Sequence, residues 1–540
     1  MSIENYTYLL SGVRAPFDAP PETVLQIARE KMKRVCSSAA ELHFRLYKKS
    51  LDARRPGEIF QVCTVFITAP RPLDVSGSAC SSLQLRALCE ERPAAGKGTA
   101  RMSAPPLVVG MGPAGLFSAL FLAEAGFAPT LIDRGEDVTA RAAAVAAFTA
   151  GGALNPESNI QFGAGGAGTF SDGKLITRVN DPYCHYVLDR LVEFGAPAEI
   201  LTRAKPHIGT DILRRVVENL LARIRALGGR VLYRTRLCGF EPSENGMLAR
   251  TSAGDIRAGA LLLGIGHSAR DTFRMLREAG VKLEVKPFSV GVRIEHLQSE
   301  IDRALYGRFA GHPALGPAEY GLSDTTGERG VYTFCMCPGG TVVAAASEEG
   351  GVVTNGMSYH SRDGLNANAA LAVSVLPSDV GGTVEGAVSF QRMLERAAFA
   401  AGGGDYRAPV ETVGDFLSVY RGTEPSRILP TYGGGRVTVA DLSAILPPQI
   451  VRGLSAGICS FGRKLRGFDC PEAVLTGLET RTSSPVRILR GEDRTAPGFP
   501  FLYPMGEGAG YAGGITSAAL DGLRTAQVLT QRFAPGGDLL

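Results

Sequence analysis

The chain has 540 residues, enough for about three domains, and its 45% hydrophobic and 20% charged content is that of an ordinary globular protein. No stretch approaches the ~20 apolar residues of a membrane span, and the opening MSIENYTYLLSGVRAP lacks the basic head and apolar run of a secretory signal. The formal charge of +4 is concentrated in residues 1–100, with 14 Lys/Arg against 10 Asp/Glu, while the other residues balance at 43 against 43.

The first ~70 residues read as strand, helix, strand, strand, a small α+β unit resembling part of a ferredoxin-like fold. Val24, Ile27, Ala28 and Met32 mark one face of its helix. Between Arg29 and Arg55 lie nine basic and three acidic residues. Only His43, Phe44 and Tyr47 are interleaved there, which favours a solvated face over a nucleic-acid platform. CEERPAAGKGTARMSAPP reads as a linker.

An apolar strand, PLVVG, then opens a βαβ unit of about 30 residues. Gly110, Gly112 and Gly115 form GxGxxG between that strand and a helix, and Asp133 ends the second strand. The first glycine permits the turn, the second lets backbone approach a pyrophosphate, and the third lets helix pack on strand. The helix start offers unpaired N–H groups to phosphate, and the acid can accept from a ribose diol. Next comes NIQFGAGGAGTFSDGKL, whose Gly163, Gly165, Gly166 and Gly168 fit a loop lying against a flavin face. Its Lys174 could stabilise a reduced flavin or a substrate carboxylate. An amphipathic helix, TDILRRVVENLLARIRALGG, and a β-meander follow. GIGHSA (264–269) is a GxGxxA with no strand and terminal acid after it, which favours the exit of the last meander strand over a second dinucleotide site. Residues 281–460 are richer in short β-like runs, and the last ~40 residues return to strand, glycine turn and helix.

GxGxxG alone does not separate NAD from FAD. YPMGEGAGYAGGITSAAL near the C-terminus does, because FAD needs a second contact set for its ribityl chain and isoalloxazine. Glu507 could bond the ribityl hydroxyls, Gly513 and Gly514 would let backbone approach the ring, and the helix from Ile515 would aim its positive end at the N1/C2 edge.

Two groups of residues carry open alternatives. Arg293, Glu295 and His296 are either a substrate-binding, proton-moving set or an interdomain ion pair. Cys335 and Cys337 form a CxC, both on one face of a strand, where a disulfide would be strained; a redox relay and two packed thiols remain open. No CxxC occurs among the ten cysteines, which fits reduced thiols in a cytoplasmic protein.

The stretch from Pro105, with GPAG and a closing Asp133–Arg134, resembles the FAD fingerprint of the glutathione-reductase-type superfamily, in which Glu is more usual than Asp. Thr235–Leu237 resembles its adenine-side strand, and GEGAGYAGGI its ribityl motif, with Glu507 where Asp is usual. SNIQFGAGGAGTFSDGKL, GIGHSARDTFRML, KPFSVGVRIEH and YTFCMCPGG resemble a bacterial family of FAD-dependent dehydrogenases of largely unassigned reaction, over most of the chain. The resemblance implies an α/β protein whose discontinuous Rossmann-like FAD domain (101–280 and 461–540) carries an inserted β-rich α+β substrate domain (281–460), after the small N-terminal unit (1–100). The implied FAD contacts are Gly110, Gly112, Pro113, Ala114, Gly115, Asp133, Arg134, Gly165, Gly166, Gly168, Thr169, Leu237, Gly266, Gly506, Glu507, Gly513, Gly514 and Ile515. Lys174, Arg293 and His296 are the catalytic candidates. The expected activity is hydride transfer at flavin N5 with a small molecule, an acidic one being a candidate; NAD(P)H is one candidate donor. An RNA-modifying flavoprotein and a non-catalytic flavin scaffold are the rival readings.

Overall fold

The computed structural model describes residues 6–34, 41–55, 57–73, 84–87 and 92–535. At the N-terminus, strands Tyr6–Pro16, His43–Asp52, Phe60–Ala69 and Leu85–Ala87 form an antiparallel sheet in the order second, third, first, fourth. The helix Pro21–Met32 covers one face with Val24, Ala28 and Met32 buried, as its period-3.6 pattern requires. Six residues of the basic stretch, 35–40, lie outside the described residues.

A five-stranded parallel sheet follows. From one edge its strands are Leu502–Pro504, Leu261–Leu263, Leu107–Val109, Thr130–Ile132 and Arg230–Leu232. In chain order this reads 5-4-1-2-3, so the winding reverses beside Leu107–Val109. Ligands of open α/β sheets bind at the carboxyl end of such a switch point. Each strand is short and wholly apolar or nearly so, because helices cover both faces. Helix Pro113–Glu124 is buried along Ala114–Ala123, and Gly522 of helix Ile515–Arg532 presses on the Ala114 backbone. The two helices thus start side by side although about 400 residues separate them in the chain.

The antiparallel meander Leu237–Ser243, Gly246–Thr251 and Gly254–Ala258 lies between. The strand before GIGHSA is not part of it: Leu261–Leu263 belongs to the parallel sheet.

A seven-stranded sheet makes the third unit, centred on Phe288–Leu297 and Asn366–Val375. Nine of the ten residues in Phe288–Leu297 are buried, with helices Val384–Ala401 and Pro448–Lys464 packed nearby. Strand Val474–Glu479 pairs with Phe288–Leu297 in this sheet. The chain therefore returns to the parallel unit later than the expected residue 461, which falls inside a helix covering the inserted sheet. Leu283–Val285 and Val486–Ile488 pair where the chain leaves and re-enters.

From residue 92 on, the segment read as a linker has a fixed place. Gly96 and Gly98 lie against the backbone of residues 530–533, and Ala100–Arg101 pairs in parallel with Phe533–Ala534. Among the described residues no helix is long and apolar enough to cross a membrane.

Candidate functional site

One continuous cleft runs along the carboxyl end of the parallel sheet. Gly112, Asp133 and Leu237 line one end; Lys174, Gly513 and Gly514 line the other; Glu507 lies on the path between them. Glycine is required for different reasons along it. Gly110 has φ +97°, and a Cβ there would lie 2.2 Å from the Gly264 carbonyl oxygen. A Cβ on Gly115 would lie 1.8 Å from the Gly110 oxygen. These two serve the packing of strand, turn and helix. Gly112 has ordinary extended φ, and its nearest protein atom would be 3.9 Å from a Cβ. Gly513 and Gly514 would meet nothing within 4 Å. Their bareness leaves room along the cleft wall that a bound molecule can use.

The adenine-side end is fixed by hydrogen bonds. Asp133 accepts from the N–H of Met111 and of Gly135, both at 2.8 Å. This clamps the fingerprint turn and leaves carboxylate lone pairs toward the cleft. Arg134 is held by Glu157 at 2.8 Å and Asp271 at 2.6 Å and stacks on Phe162. Helix Pro113–Glu124 starts with Pro at its first position, where the missing N–H costs nothing, and its positive end faces the cleft.

The glycine-rich loop lines the cleft through Gly166 and Gly168 and is anchored on the fingerprint turn. Gly165 donates to the Met111 carbonyl at 2.9 Å, and a Cβ on Gly166 would lie 2.8 Å from Gly112 Cα. The loop therefore packs on the fingerprint turn, while Gly168, against Ile515, and Leu175, whose carbonyl accepts from Thr516 Oγ1 at 2.8 Å, reach the second motif. A residue that the sequence reading passed over organises it. Arg141, fully buried, donates to the carbonyls of Asn159, Ile160, Gly163 and Ala164. An arginine in an alanine-rich helix gave no sign of this before the loop was seen to fold over it.

Several expected contacts do not line the cleft. Gly115 and Gly165 serve packing; a Cβ on Gly165 would lie 2.0 Å from Thr169 Oγ1, and Thr169 is itself fully buried. Gly506 turns its N–H away, to Asp521 at 2.7 Å. His296 is buried beside Phe468, its Nε2 donating to the Phe468 carbonyl at 2.8 Å, and burial lowers its pKa to about 4. A neutral ring in the core of the inserted sheet cannot move a proton in the cleft. Arg293 also stands behind the wall: it is fully buried and donates to Asn368 Oδ1 and to the Cys335 carbonyl. The open choice at KPFSVGVRIEH thus falls on neither alternative as stated. Glu295 bonds Thr431 and Asn366 instead of Arg293.

Lys174 does line the cleft, with Asp172 at 3.5 Å. Burial pulls its ammonium down, but Asp172, two thiols and Glu319 outweigh that, so its pKa is raised and it stays charged. Asp172 is wholly buried and also takes two hydrogen bonds from Arg362, so it fixes Lys174 without using all its donors. Cys335, Asn355, Glu479 and Arg481 line the same cleft, and of these only the cysteine is a candidate from the sequence. TGLETRTSS carries no glycine signature or motif; the sheet alone brings it here. Burial raises Glu479 to about 7 despite Arg293 at 3.5 Å. Arg481 is tied to Glu395 and Ser347. Burial likewise raises Glu507 to about 7, and no hydrogen bond from a described residue reaches its carboxylate.

This donor set fits FAD. There is a helix start for pyrophosphate, an acid at the ribose position, an unshared carboxylate where a polyol would lie, and a bare glycine wall at a second helix start. Fold and cleft define the class of FAD-dependent proteins, and residues 287–482 match the family described as "FAD-dependent protein, C-terminal domain-like". An uncharacterised protein of Clostridium beijerinckii is 45% identical over 498 residues, spanning 90% of this chain and 92% of that one, and the chain belongs to its family.

Solved structures resemble the chain only distantly. A geranylgeranyl bacteriochlorophyll reductase-like protein of Thermoplasma acidophilum has TM-score 0.36 and 13% identity, covering 80% of this chain and 79% of that one. CtdE in complex with FAD has TM-score 0.32 and 11% identity, covering 79% and 84%.

Proposed function

We propose that this protein is an FAD-dependent oxidoreductase that passes a hydride between flavin N5 and a small-molecule substrate. The observation that carries the reading is the shared cleft: Gly112 and Glu507, far apart in sequence, line one continuous groove between two helix starts. The flavin held there would supply two-electron redox chemistry. The chain's own residues set the rest. The start of helix Ile515–Arg532 offers a positive end where charge would build on reduction. Lys174, held by Asp172 and with donors to spare, anchors an anionic group, which favours a substrate bearing a carboxylate or similar acid. Glu479, near neutral pKa at the same end, is the group suited to take up or release a proton.

The absorbance spectrum of the purified protein tests the cofactor. Its bleaching under argon with NADH, NADPH and a panel of carboxylic-acid metabolites tests the reaction. The expected result is a yellow protein that one of these bleaches. A colourless protein that takes up no added FAD would overturn the reading.

A further inference from the structure

Cys335 occupies an unusual position. It lines the cleft beside Lys174, while Cys337 is fully buried behind it. The strand Val331–Cys337 is not straight there. Phe334 pairs with Ala370 but Cys337 pairs with Asn368, so three steps on one strand face two on the other. This is a β-bulge. The extra residue is accommodated by Cys335 itself, whose φ of +44° puts it in the left-handed region that non-glycine residues rarely visit. The argument against a CxC disulfide assumed a regular strand, in which Cα atoms two residues apart stand about 6.7 Å apart, at the outer edge of what a disulfide spans. A bulge with a left-handed residue removes that premise. The bulge folds the second thiol back on the first residue: Cys337 Sγ donates to the Cys335 carbonyl oxygen at 3.3 Å.

Two cations flank the pair, Arg293 fully buried and Lys174 part-exposed on the cleft. Arg293 donates to the Cys335 carbonyl at 2.9 Å and approaches Cys337 Sγ at 3.7 Å, and Lys174 faces both sulfurs. The two thiols are pushed apart: Cys337 is lowered by the neighbouring Cys335 and then by Arg293 and Lys174, against burial, while Cys335 is raised by Cys337 and by burial. A left-handed bulge residue, two thiols two positions apart and two cations at one end of the cleft make more than a packing arrangement.

We infer that Cys335 and Cys337 form a redox dithiol that cycles with a disulfide at the substrate end of the cleft. Oxidation breaks two S–H bonds and forms one S–S bond. Two protons leave, and the two electrons pass to a two-electron acceptor of the flavin class, so this step rests on the proposed FAD chemistry. The matching external substrate is a thiol or disulfide compound. It would exchange with Cys335, which the cleft exposes, while Cys337 resolves the mixed disulfide.

The test uses the full-length holoprotein. Samples are equilibrated in glutathione buffers from reducing to oxidising, trapped with N-ethylmaleimide and digested with trypsin. Residues 330–362 form one tryptic peptide that contains these two cysteines and no other. The expected result is a shift of that peptide from doubly alkylated to unalkylated and two hydrogens lighter, at a defined potential. Cys335→Ser and Cys337→Ser should each abolish the lighter form. Full alkylation at every potential in the wild type, or glutathione adducts with no internal disulfide, would overturn the inference. The absorbance spectrum of the same sample separates the two readings. A yellow protein without the disulfide sinks only the dithiol; a colourless protein with it sinks only the flavin acceptor.

Discussion

At the first helix start, a Cβ on Gly115 would lie 1.8 Å from a carbonyl oxygen; at the second, a Cβ on Gly513 or Gly514 would meet nothing within 4 Å. Similar glycine-rich strings therefore do different work. GxGxxG mixes glycines that the protein needs for its own packing with one, Gly112, that is bare toward the cleft. In GEGAGYAGGI, Gly506 and Gly510 carry positive φ and serve the turn, while the terminal pair faces open space. A motif match does not tell these roles apart. The position of neighbouring backbone does.

Substitutions sharpen the contrast. Gly115→Val should be the most damaging, because backbone cannot yield by the required distance; a loss of more than about 3 kcal/mol is expected, seen as insoluble protein or a collapsed thermal transition. Gly112→Val should leave the protein folded, with melting of the flavin-free form within a few degrees of wild type, but colourless, with FAD affinity down at least a hundredfold. If it is yellow, the cleft assignment at this end is broken.

Glu507 gives a smaller and pH-dependent effect. Its folded pKa is raised to about 7, so the carboxylate that would accept polyol hydrogen bonds is formed only as pH rises through that value. FAD affinity of the flavin-free protein should therefore be flat above about pH 8 and fall toward acid, by up to about tenfold per pH unit below 7. Glu507→Gln should flatten the profile, which a flavin-fluorescence titration between pH 5 and 9 measures. Lys174→Met should keep the colour but slow bleaching by an acidic reductant about tenfold or more. His296→Gln should be the mildest for flavin, leaving spectrum and bleaching unchanged, since the ring never reaches the cleft.

Much of this site was legible in the string of residues. The strand–glycine–helix unit at Pro105, the acid at 133 and the second motif at 506 are local patterns, and a local pattern follows from the backbone each residue allows. Lys174 and Cys335 were legible as candidates but not as neighbours. Glu479, Arg481 and Asn355 were not legible, since nothing in their flanking residues distinguishes them; strands at 291, 368 and 476 must pair first. Gly165, Thr169 and Gly506 misled in the other direction, because a glycine or hydroxyl next to a cleft residue looks the same in sequence as one inside it.

By itself the sequence determined the local strand–glycine–helix units at both ends of the cleft, because periodicity and glycine spacing act over a few residues; the discontinuity of the parallel unit came from the family resemblance. Tertiary structure alone decided which side chains share the cleft, which cations stand behind the two thiols, and that the CxC strand is bulged. Those depend on register between strands far apart in the chain, and on burial, which raises Glu479 and Glu507 and keeps His296 neutral. No single segment carries that information.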